Sequence, residues 1–265
     1  LAGATGIDFG SGITFAAGGA LSVTTSSGGI TGAGAFTLTS TGDISLTEDF
    51  TTAGTTIINA DSDSNGAGNF SIGASKILST GNNSLTLSAN DVTLTGSLNS
   101  GTGSTTISSS DSGTIGLGGT AGNMTIDASE LANITAGTLN IGNSSTGNMT
   151  VDGITAANSN NVSTVNLTTS SGSSVSFSNN ASTFKSLIVT SGNGINQSVD
   201  LTTSSTTTLD ADSNDDGSGD FSNTAGAFSL GNNGLSITAN DLSLSGTINT
   251  GSETTIILAS DGGSI

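Results

Sequence analysis

ADSDSNGAGNF, at residues 60–70, returns as ADSNDDGSGDF at residues 211–221. A second stretch, GNNSLTLSANDVTLTGSLNSG at residues 81–101, returns as GNNGLSITANDLSLSGTINTG at residues 231–251. Substitutions between the copies are almost confined to exchanges of Ser with Thr, of Asp with Asn, and among Leu, Ile and Val, so both copies keep one apolar pattern. We infer an internal duplication in which residues 55–101 match residues 206–251. A duplication of this kind is typical of a segment of a longer repeat array.

Short alternating apolar pairs recur along the whole chain. In each pair a single residue, mostly Ser or Thr, separates two apolar residues, and alternation by two predicts short strands with one buried face. The pairs are Leu21/Val23, Phe36/Leu38, Ile44/Leu46, Leu85/Leu87, Val92/Leu94, Ile115/Leu117, Met124/Ile126, Leu139/Ile141, Met149/Val151, Val165/Leu167, Val175/Phe177, Leu187/Val189, Val199/Leu201, Phe228/Leu230, Leu235/Ile237 and Leu242/Leu244. Helices are disfavoured because Gly and β-branched residues recur throughout. The exception is SELANI, where Ser129 could cap a helical turn that tucks Leu131 and Ile134 inward.

The spacing of apolar anchors predicts the fold. Leu167, Val189, Leu209 and Leu230 follow one another at intervals of about one coil of a parallel β-helix. We therefore predict an all-β fold, a right-handed parallel β-helix (β-solenoid) of roughly 12 coils with about 20–24 residues per coil. No shift in composition indicates a linker, so residues 1–265 are predicted to form a single solenoid segment.

The composition and net charge of the chain indicate which classes of partner it binds. The chain has 40 Gly, 3% aromatic residues and no Trp, Tyr, His, Cys or Pro, which fits a narrow core completed by neighbouring coils. Its formal net charge of −18 predicts that it binds no nucleic acid, and no apolar run is long enough for membrane insertion. Divalent cations are the natural counterions of such a chain.

Both Asp-rich stretches resemble the opening of a calcium loop, D-x-[DN]-x-[DN]-G. Alternate side-chain oxygens of such a loop face one ion, so we predict calcium as a cofactor. The predicted ligands are Asp61, Asp63, Asn65, Asp212, Asn214, Asp216 and Asp220. Position twelve of the loop should be a bidentate Glu but is Ile72 or Asn223, so backbone carbonyls and water would have to complete the site. The alternative is a hydrated corner loop rich in Asp and Asn that binds no ion.

Enzymatic activity is not expected. Without His, Cys, Arg or Tyr the chain lacks most nucleophile–base pairs. Carboxylate pairs such as Asp212 with Asp216, or Asp200 with Asp210, could cleave glycosides in principle, but the usual aromatic sugar platforms are scarce. Ice binding is a remote alternative, because Thr-x-Thr pairs such as Thr37/Thr39 and Thr93/Thr95 do not recur once per coil.

Three blocks carry a family resemblance. They are GTIGLGGTAGNMTIDASELANITAGTLNIGNSSTGNMTVDGI from Gly113, GSSVSFSNNASTFKSLIVTSGNGI from Gly172 and TTTLDADSNDDGSGDF from Thr206. Their order resembles the repeat arrays of filamentous-haemagglutinin-like bacterial surface proteins. The resemblance implies a secreted or outer-surface β-helical shaft acting in adhesion or matrix building. The expected partners are neighbouring repeats of the same chain, laterally associated copies, and a host or environmental surface.

Overall fold

The computed structural model describes residues 2–3 and 6–261, which form 32 β-strands and two short α-helices. The strands before the first helix are β1 (Ala2–Gly3), β2 (Ile7–Phe9), β3 (Ile13–Ala17), β4 (Leu21–Thr25), β5 (Ile30–Gly32), β6 (Phe36–Ser40), β7 (Ile44–Leu46), β8 (Phe50–Thr52), β9 (Thr56–Asn59), β10 (Phe70–Ile72), β11 (Ile77–Ser79), β12 (Leu85–Ala89), β13 (Val92–Leu94), β14 (Ser97–Asn99), β15 (Ser104–Ser109), β16 (Ile115–Gly118) and β17 (Met124–Ile126). The later elements are α1 (Ala128–Ala132), β18 (Ile134–Gly142), β19 (Met149–Asp152), α2 (Ala156–Ser159), β20 (Val162–Thr168), β21 (Val175–Phe177), β22 (Ser182–Phe184), β23 (Ser186–Thr190), β24 (Ile195–Gln197), β25 (Leu201–Thr203), β26 (Thr207–Asp210), β27 (Phe221–Asn223), β28 (Ala227–Ser229), β29 (Leu235–Ala239), β30 (Leu242–Leu244), β31 (Thr247–Asn249) and β32 (Thr255–Ala259).

The strands stack in parallel as a β-solenoid of about 11 turns, which confirms the predicted fold and nearly matches the predicted number of coils. Two compact units share the chain: unit 1 holds Leu1–Asp111 and Glu130–Leu139, and unit 2 holds Ser112–Ser129 and Asn140–Ile265. The strand orders in unit 1 are β1-β4-β7-β10-β13, β2-β5-β8-β11-β14-β18 and β3-β6-β9-β12-β15. Those in unit 2 are β17-β16-β19-β21-β24-β27-β30, β20-β23-β26-β29-β32 and β22-β25-β28-β31. The right-handed turn of the helix stays a prediction.

Apolar side chains lie directly above one another inside each unit. In unit 1, Leu38 pairs in register with Ile58, and Ile58 with Leu87. All three are buried, and so is every residue of the predicted apolar pairs except Leu21, Val199, Leu242 and Leu244. Each coil thus buries only a few side chains, and the coils above and below cover them.

The number of residues per coil varies over a wider range than the predicted 20–24. The register pairs Leu38 with Ile58 over 20 residues, whereas Ile58 pairs with Leu87 over 29. In unit 2 the corresponding long coil pairs Leu209 with Ile237 over 28 residues. The additional residues form the two Asp-rich loops, which leave the strands without disturbing their register.

Helix α1 forms where SELANI predicts a helical turn. Leu131 and Ile134 are buried as predicted. The predicted cap is wrong, because the helix begins at Ala128 and Ser129 N donates a 2.7 Å hydrogen bond to Oδ1 of Asp127. Asp127 therefore does the capping. No helix within the described residues is long and apolar enough to cross a membrane.

Candidate functional site: the duplicated aspartate loops

The first aspartate loop, residues 60–70, is built around the buried carboxylate of Asp61. Asp61 is 0% exposed. Its Oδ1 accepts a 3.1 Å hydrogen bond from Asn65 N, and its Oδ2 accepts one of 3.1 Å from Gly66 N and one of 2.5 Å from Ser110 Oγ. The carboxylate thus ties the loop to a strand end that lies 49 residues later in the chain.

The rest of this loop is a tight exposed turn. Ser64 and Gly66 adopt positive φ angles of 52° and 77°, the left-handed conformation that Gly adopts at no steric cost. Asp63 and Asn65 are both exposed, and Asn65 Nδ2 donates a 2.8 Å hydrogen bond to Asp63 Oδ2. The carboxylate of Asp61 therefore lies inside the loop, and that of Asp63 lies outside it.

The second aspartate loop, residues 211–221, repeats this arrangement. Asp212 is 0% exposed and accepts hydrogen bonds from Asp216 N at 3.3 Å, Gly217 N at 3.2 Å and Ser260 Oγ at 2.6 Å. Asn214 Nδ2 donates a 2.6 Å hydrogen bond to Asp216 Oδ2. The two copies of the sequence thus fold into two copies of one hydrogen-bonded loop.

Hydrogen bonds lower the pKa of two carboxyl groups in the loops. Burial alone would raise the pKa of Asp61, but donors from Ser110, Gly66 and Asn65 outweigh it and hold the pKa below its ordinary value. The pKa of Asp216 is also lowered, chiefly by the Ser218 hydroxyl and then by the Asn214 amide. Both groups are carboxylates at neutral pH.

The pKa values of two further carboxyl groups beside the second loop are raised. Burial raises the pKa of Asp210, and the charges of Asp215 and Asp212 add to the shift. Partial desolvation raises the pKa of Asp261, with further contributions from the charges of Asp212, Asp215 and Asp216. Like charges therefore crowd this loop, in which Asp215 and Asp216 replace Ser64 and Asn65 of the first copy.

The predicted calcium ligands differ in where their side chains are directed. The buried carboxylates of Asp61 and Asp212 are directed at the NH groups of their own loops, and Asp63, Asn214 and Asp216 lie outside as exposed side chains. No group of three or more acidic side chains within residues 2–3 and 6–261 is arranged to hold a metal ion. Calcium binding stays a prediction.

Asp220, the last predicted ligand, is an exposed residue. Its Oδ1 accepts a 3.2 Å hydrogen bond from Asn240 Nδ2. It lines a shallow polar groove of about 340 Å³ on unit 2. The groove is lined by Ser174, Ser176, Asn193, Gly194, Ile195, Asn196, Ser218, Asp220, Ser222 and Thr224.

Sequence reasoning missed the two serines that anchor the loops. Ser110 donates to Asp61 and Ser260 donates to Asp212 from 49 and 48 residues downstream. The duplication contained the necessary signal, because each serine precedes an aspartate at the same place in its copy, Asp111 or Asp261. Periodicity alone could not show that the strand end carrying this pair lies against the loop.

A second polar cluster, in unit 2, was also missed. Asp152 is 4% exposed, and its Oδ1 accepts hydrogen bonds from Asn180 N and Nδ2 at 3.1 and 2.9 Å. Its Oδ2 accepts from Thr120 Oγ1 at 2.9 Å and from Asn179 Nδ2 at 3.0 Å. These donors outweigh the effect of burial and lower the pKa of Asp152. All four bonds tie neighbouring turns together, so the group is structural.

Comparisons with known protein families, curated proteins and solved structures found no match for this chain. The resemblance to filamentous-haemagglutinin-like proteins therefore rests on the quoted blocks and on the solenoid fold.

The threonines on one outward face of unit 1 form interrupted columns. On unit 1, the register of strands β3, β6, β9, β12 and β15 places Thr14, Thr37, Ile57, Thr86 and Thr106 in one column. The neighbouring column is Ala16, Thr39, Asn59, Ser88 and Ser108. Ile57 interrupts the first column, and Ala16 and Asn59 interrupt the second. Ice binding stays a remote alternative.

Proposed function

We propose that this chain is a structural and adhesive shaft segment of a bacterial cell-surface or secreted fibrous protein. One observation carries the proposal: the duplicated sequence folds into duplicated coils. Leu78 pairs with Leu98 in unit 1 as Phe228 pairs with Ile248 in unit 2, at positions that correspond in the two copies. A fold that adds one similar coil after another gains length with each repeat.

The two faces of the strands support the same role. Their inner faces hold columns of buried apolar residues, and their outer faces are mostly Ser, Thr and Asn. The interior gives stiffness because every coil is packed against its neighbours, and the hydrated exterior keeps the chain in solution. Neighbouring repeats, lateral self-association and weak contact with a host or environmental surface are the partners that we propose. The proposed location is extracellular or at the outer cell surface.

The shaft function predicts that length is additive. Additional copies of the 150-residue block are inserted into a surface-anchored chain, and the height of a terminal epitope above the cell is measured by electron microscopy. Each block of about six coils should add roughly 29 Å, at ~4.8 Å per coil. Attachment of the cells to coated surfaces should persist when Asp61 or Asp212 is replaced. A height that does not change with the number of blocks would refute the shaft function.

Calcium-dependent binding, directed at a carbohydrate or a surface, is a second candidate. The pKa of Asp261 is raised first by desolvation and then by the charges of Asp212, Asp215 and Asp216. The second cause favours this candidate, because a bound cation relieves the repulsion between carboxylates. Calorimetry and melting curves in millimolar calcium test it. The matched control changes Asp215→Ser, Asp216→Asn and Asp220→Asn, the residues of the first copy. Heat and a raised Tm that the control lacks would support a site, and absence of both would exclude it.

A further inference from the structure

The sequence contains three Asn-Gly pairs, which are Asn65-Gly66, Asn193-Gly194 and Asn233-Gly234. In such a pair the backbone nitrogen of Gly can attack the side-chain amide carbon of Asn, because Gly has no side chain to obstruct the approach and its backbone is free to turn. The attack requires a backbone NH that is not held by another acceptor. The fold treats the three pairs differently in this respect.

Two of the three pairs have a Gly nitrogen that the fold holds. Gly66 N donates a 3.1 Å hydrogen bond to Oδ2 of the buried Asp61. Gly194 N donates one of 2.9 Å to Ala211 O, and Gly194 is itself buried. Each hydrogen bond has to break before the nitrogen can turn toward the Asn side chain, so both pairs are protected.

The third pair, Asn233-Gly234, ends the turn between β28 and β29. Gly234 O accepts a 3.1 Å hydrogen bond from Thr207 N, but Gly234 N donates none to any residue within 2–3 and 6–261. Asn233 and Gly234 are both partly exposed, so water reaches them. This pair therefore combines an available nitrogen with access to solvent.

The internal duplication supplies a matched turn in unit 1. Asn83 corresponds to Asn233, and the Nδ2 atom of each donates hydrogen bonds of 2.7 and 3.2 Å to the carbonyl oxygens of the residues three and two positions before it. Ser84 N, like Gly234 N, has no acceptor among the described residues. The attacking nitrogen would thus belong to a Ser in the first turn and to a Gly in the second.

A second difference between the turns concerns the peptide group that carries this nitrogen. In the first turn Thr80 Oγ1 donates a 2.5 Å hydrogen bond to Asn83 O, which holds that peptide group in place. Leu230 stands at the position of Thr80 in the second turn and has no hydroxyl to donate. Both differences leave Asn233 the more reactive of the two.

We propose that Asn233 is a site of spontaneous deamidation. Gly234 N loses its proton and attacks Cγ of Asn233, so that a new C–N bond closes a succinimide ring. The bond between Cγ and Nδ2 breaks, and ammonia leaves with the proton. Water then adds to one of the two ring carbonyls and opens the ring to aspartate or isoaspartate.

The modification removes the hydrogen bonds that close the turn. Asn233 Nδ2 donates to the carbonyl oxygens of Leu230 and Gly231, and Leu230 is 0% exposed. A carboxylate has no proton to donate there and adds one negative charge to a chain whose formal net charge is already −18. Isoaspartate also inserts a carbon atom into the backbone just before β29. An aged chain therefore carries a weakened turn at this place.

The test uses the whole chain in neutral buffer made with water enriched in the heavy oxygen isotope, followed by pepsin digestion at acid pH and peptide mapping by mass spectrometry. Heavy oxygen should enter at Asn233 about tenfold faster than at Asn65 or Asn193, because the other two sites must first lose a hydrogen bond. In guanidinium chloride, where the chain is unfolded, the three sites should react at similar rates. Equal rates in the folded chain, or an Asn233 that reacts only in the unfolded chain, would overturn the proposal.

Two variants exchange the turns. Gly234→Ser copies the first turn, and a Cβ atom there would lie 3.6 Å from Thr254 O, an ordinary contact, so the variant should fold. It should slow the reaction at Asn233 about tenfold. The double variant Thr80→Leu/Ser84→Gly copies the second turn and should make Asn83 as reactive as Asn233. An unchanged rate in either variant would show that these turn residues do not control the reaction.

Discussion

Each buried loop aspartate stabilises the fold through the donors that it satisfies. Replacing Asp61 with Ala leaves the NH groups of Asn65 and Gly66 and the Ser110 hydroxyl without their acceptor, and should cost about 2–4 kcal/mol of the free energy of unfolding. Urea denaturation followed by circular dichroism measures the loss. The control is Asp63→Ala, whose exposed side chain should change stability by less than about 0.5 kcal/mol. Equal effects of the two variants would show that burial of Asp61 has no energetic role.

The same carboxylate predicts the response to acid. Because the pKa of Asp61 is lower in the folded chain than its unfolded value of about 3.9, Asp61 contributes stability above that pH. This contribution is lost as the pH falls through the folded pKa. The Asp61→Ala variant should therefore approach the parent protein in stability as the pH is lowered below about 4.

Asp210 has the opposite effect on how the stability of the fold depends on pH. Its raised pKa means that the folded chain holds this proton more tightly than the unfolded chain, so stability falls as the pH rises from about 4 through the folded pKa. Asp210→Asn, which copies Asn59, should stabilise the chain by about 0.5–1 kcal/mol at pH 7 and by less near pH 4. The reciprocal Asn59→Asp should destabilise it, and thermal melts at both pH values check the pair. Stabilisation that does not depend on pH would contradict the electrostatic explanation.

At the scale of single strands, a buried amide pair distinguishes β24 and β27 of unit 2 from their counterparts. Asn223 Nδ2 donates a 3.2 Å hydrogen bond to Gln197 Oε1, and both residues are 0% exposed. Asn223 Oδ1 has no hydrogen-bond partner within the described residues. In unit 1, strands β7 and β10 pair Leu46 with Ile72 in the equivalent register. A polar group buried without a partner costs free energy that an apolar pair does not.

Restoring the apolar pair should therefore be tolerated. The double variant Gln197→Leu/Asn223→Ile is expected to range from neutral to about 2 kcal/mol more stable, whereas Asn223→Ile alone strands the Gln197 Oε1 and should cost about 1–3 kcal/mol. A double-mutant cycle of urea unfolding free energies measures the coupling between the two sites. Additive effects would show that the amide pair is not an energetic unit.

The strands also mark how far the sequence predicts the fold. The alternation of apolar residues identifies inward positions, because it depends only on neighbours along the chain. It fails at Val199, which lies in a turn before β25 where Gln197 Nε2 donates a hydrogen bond to Val199 O. Helix α2 was not predicted, since its AANS sequence carries no apolar period. The partners of Asp61 and Asp152 depend on which coils become neighbours, and that information is not local.

At the scale of the whole molecule, the two compact units predict separable stability. Phe70 in unit 1 and Phe221 in unit 2 occupy corresponding places and are 0% and 1% exposed. Replacing either with Ala should cost about 3–5 kcal/mol, because a large buried ring leaves a cavity. In a repeat fold each coil depends mainly on its neighbours, so the damage should stay near the substitution.

Amide exchange measured residue by residue tests this locality. Phe70→Ala should increase exchange chiefly in residues 36–111, and Phe221→Ala chiefly in residues 175–259, with each variant serving as the other's control. Phe70 and Phe221 are the same residue type and are almost equally buried, so neither property can explain a difference in exchange between the two variants. If either substitution raised exchange uniformly along the chain, stability would be a global property, and the coils would not be independent repeats of the kind that a shaft requires.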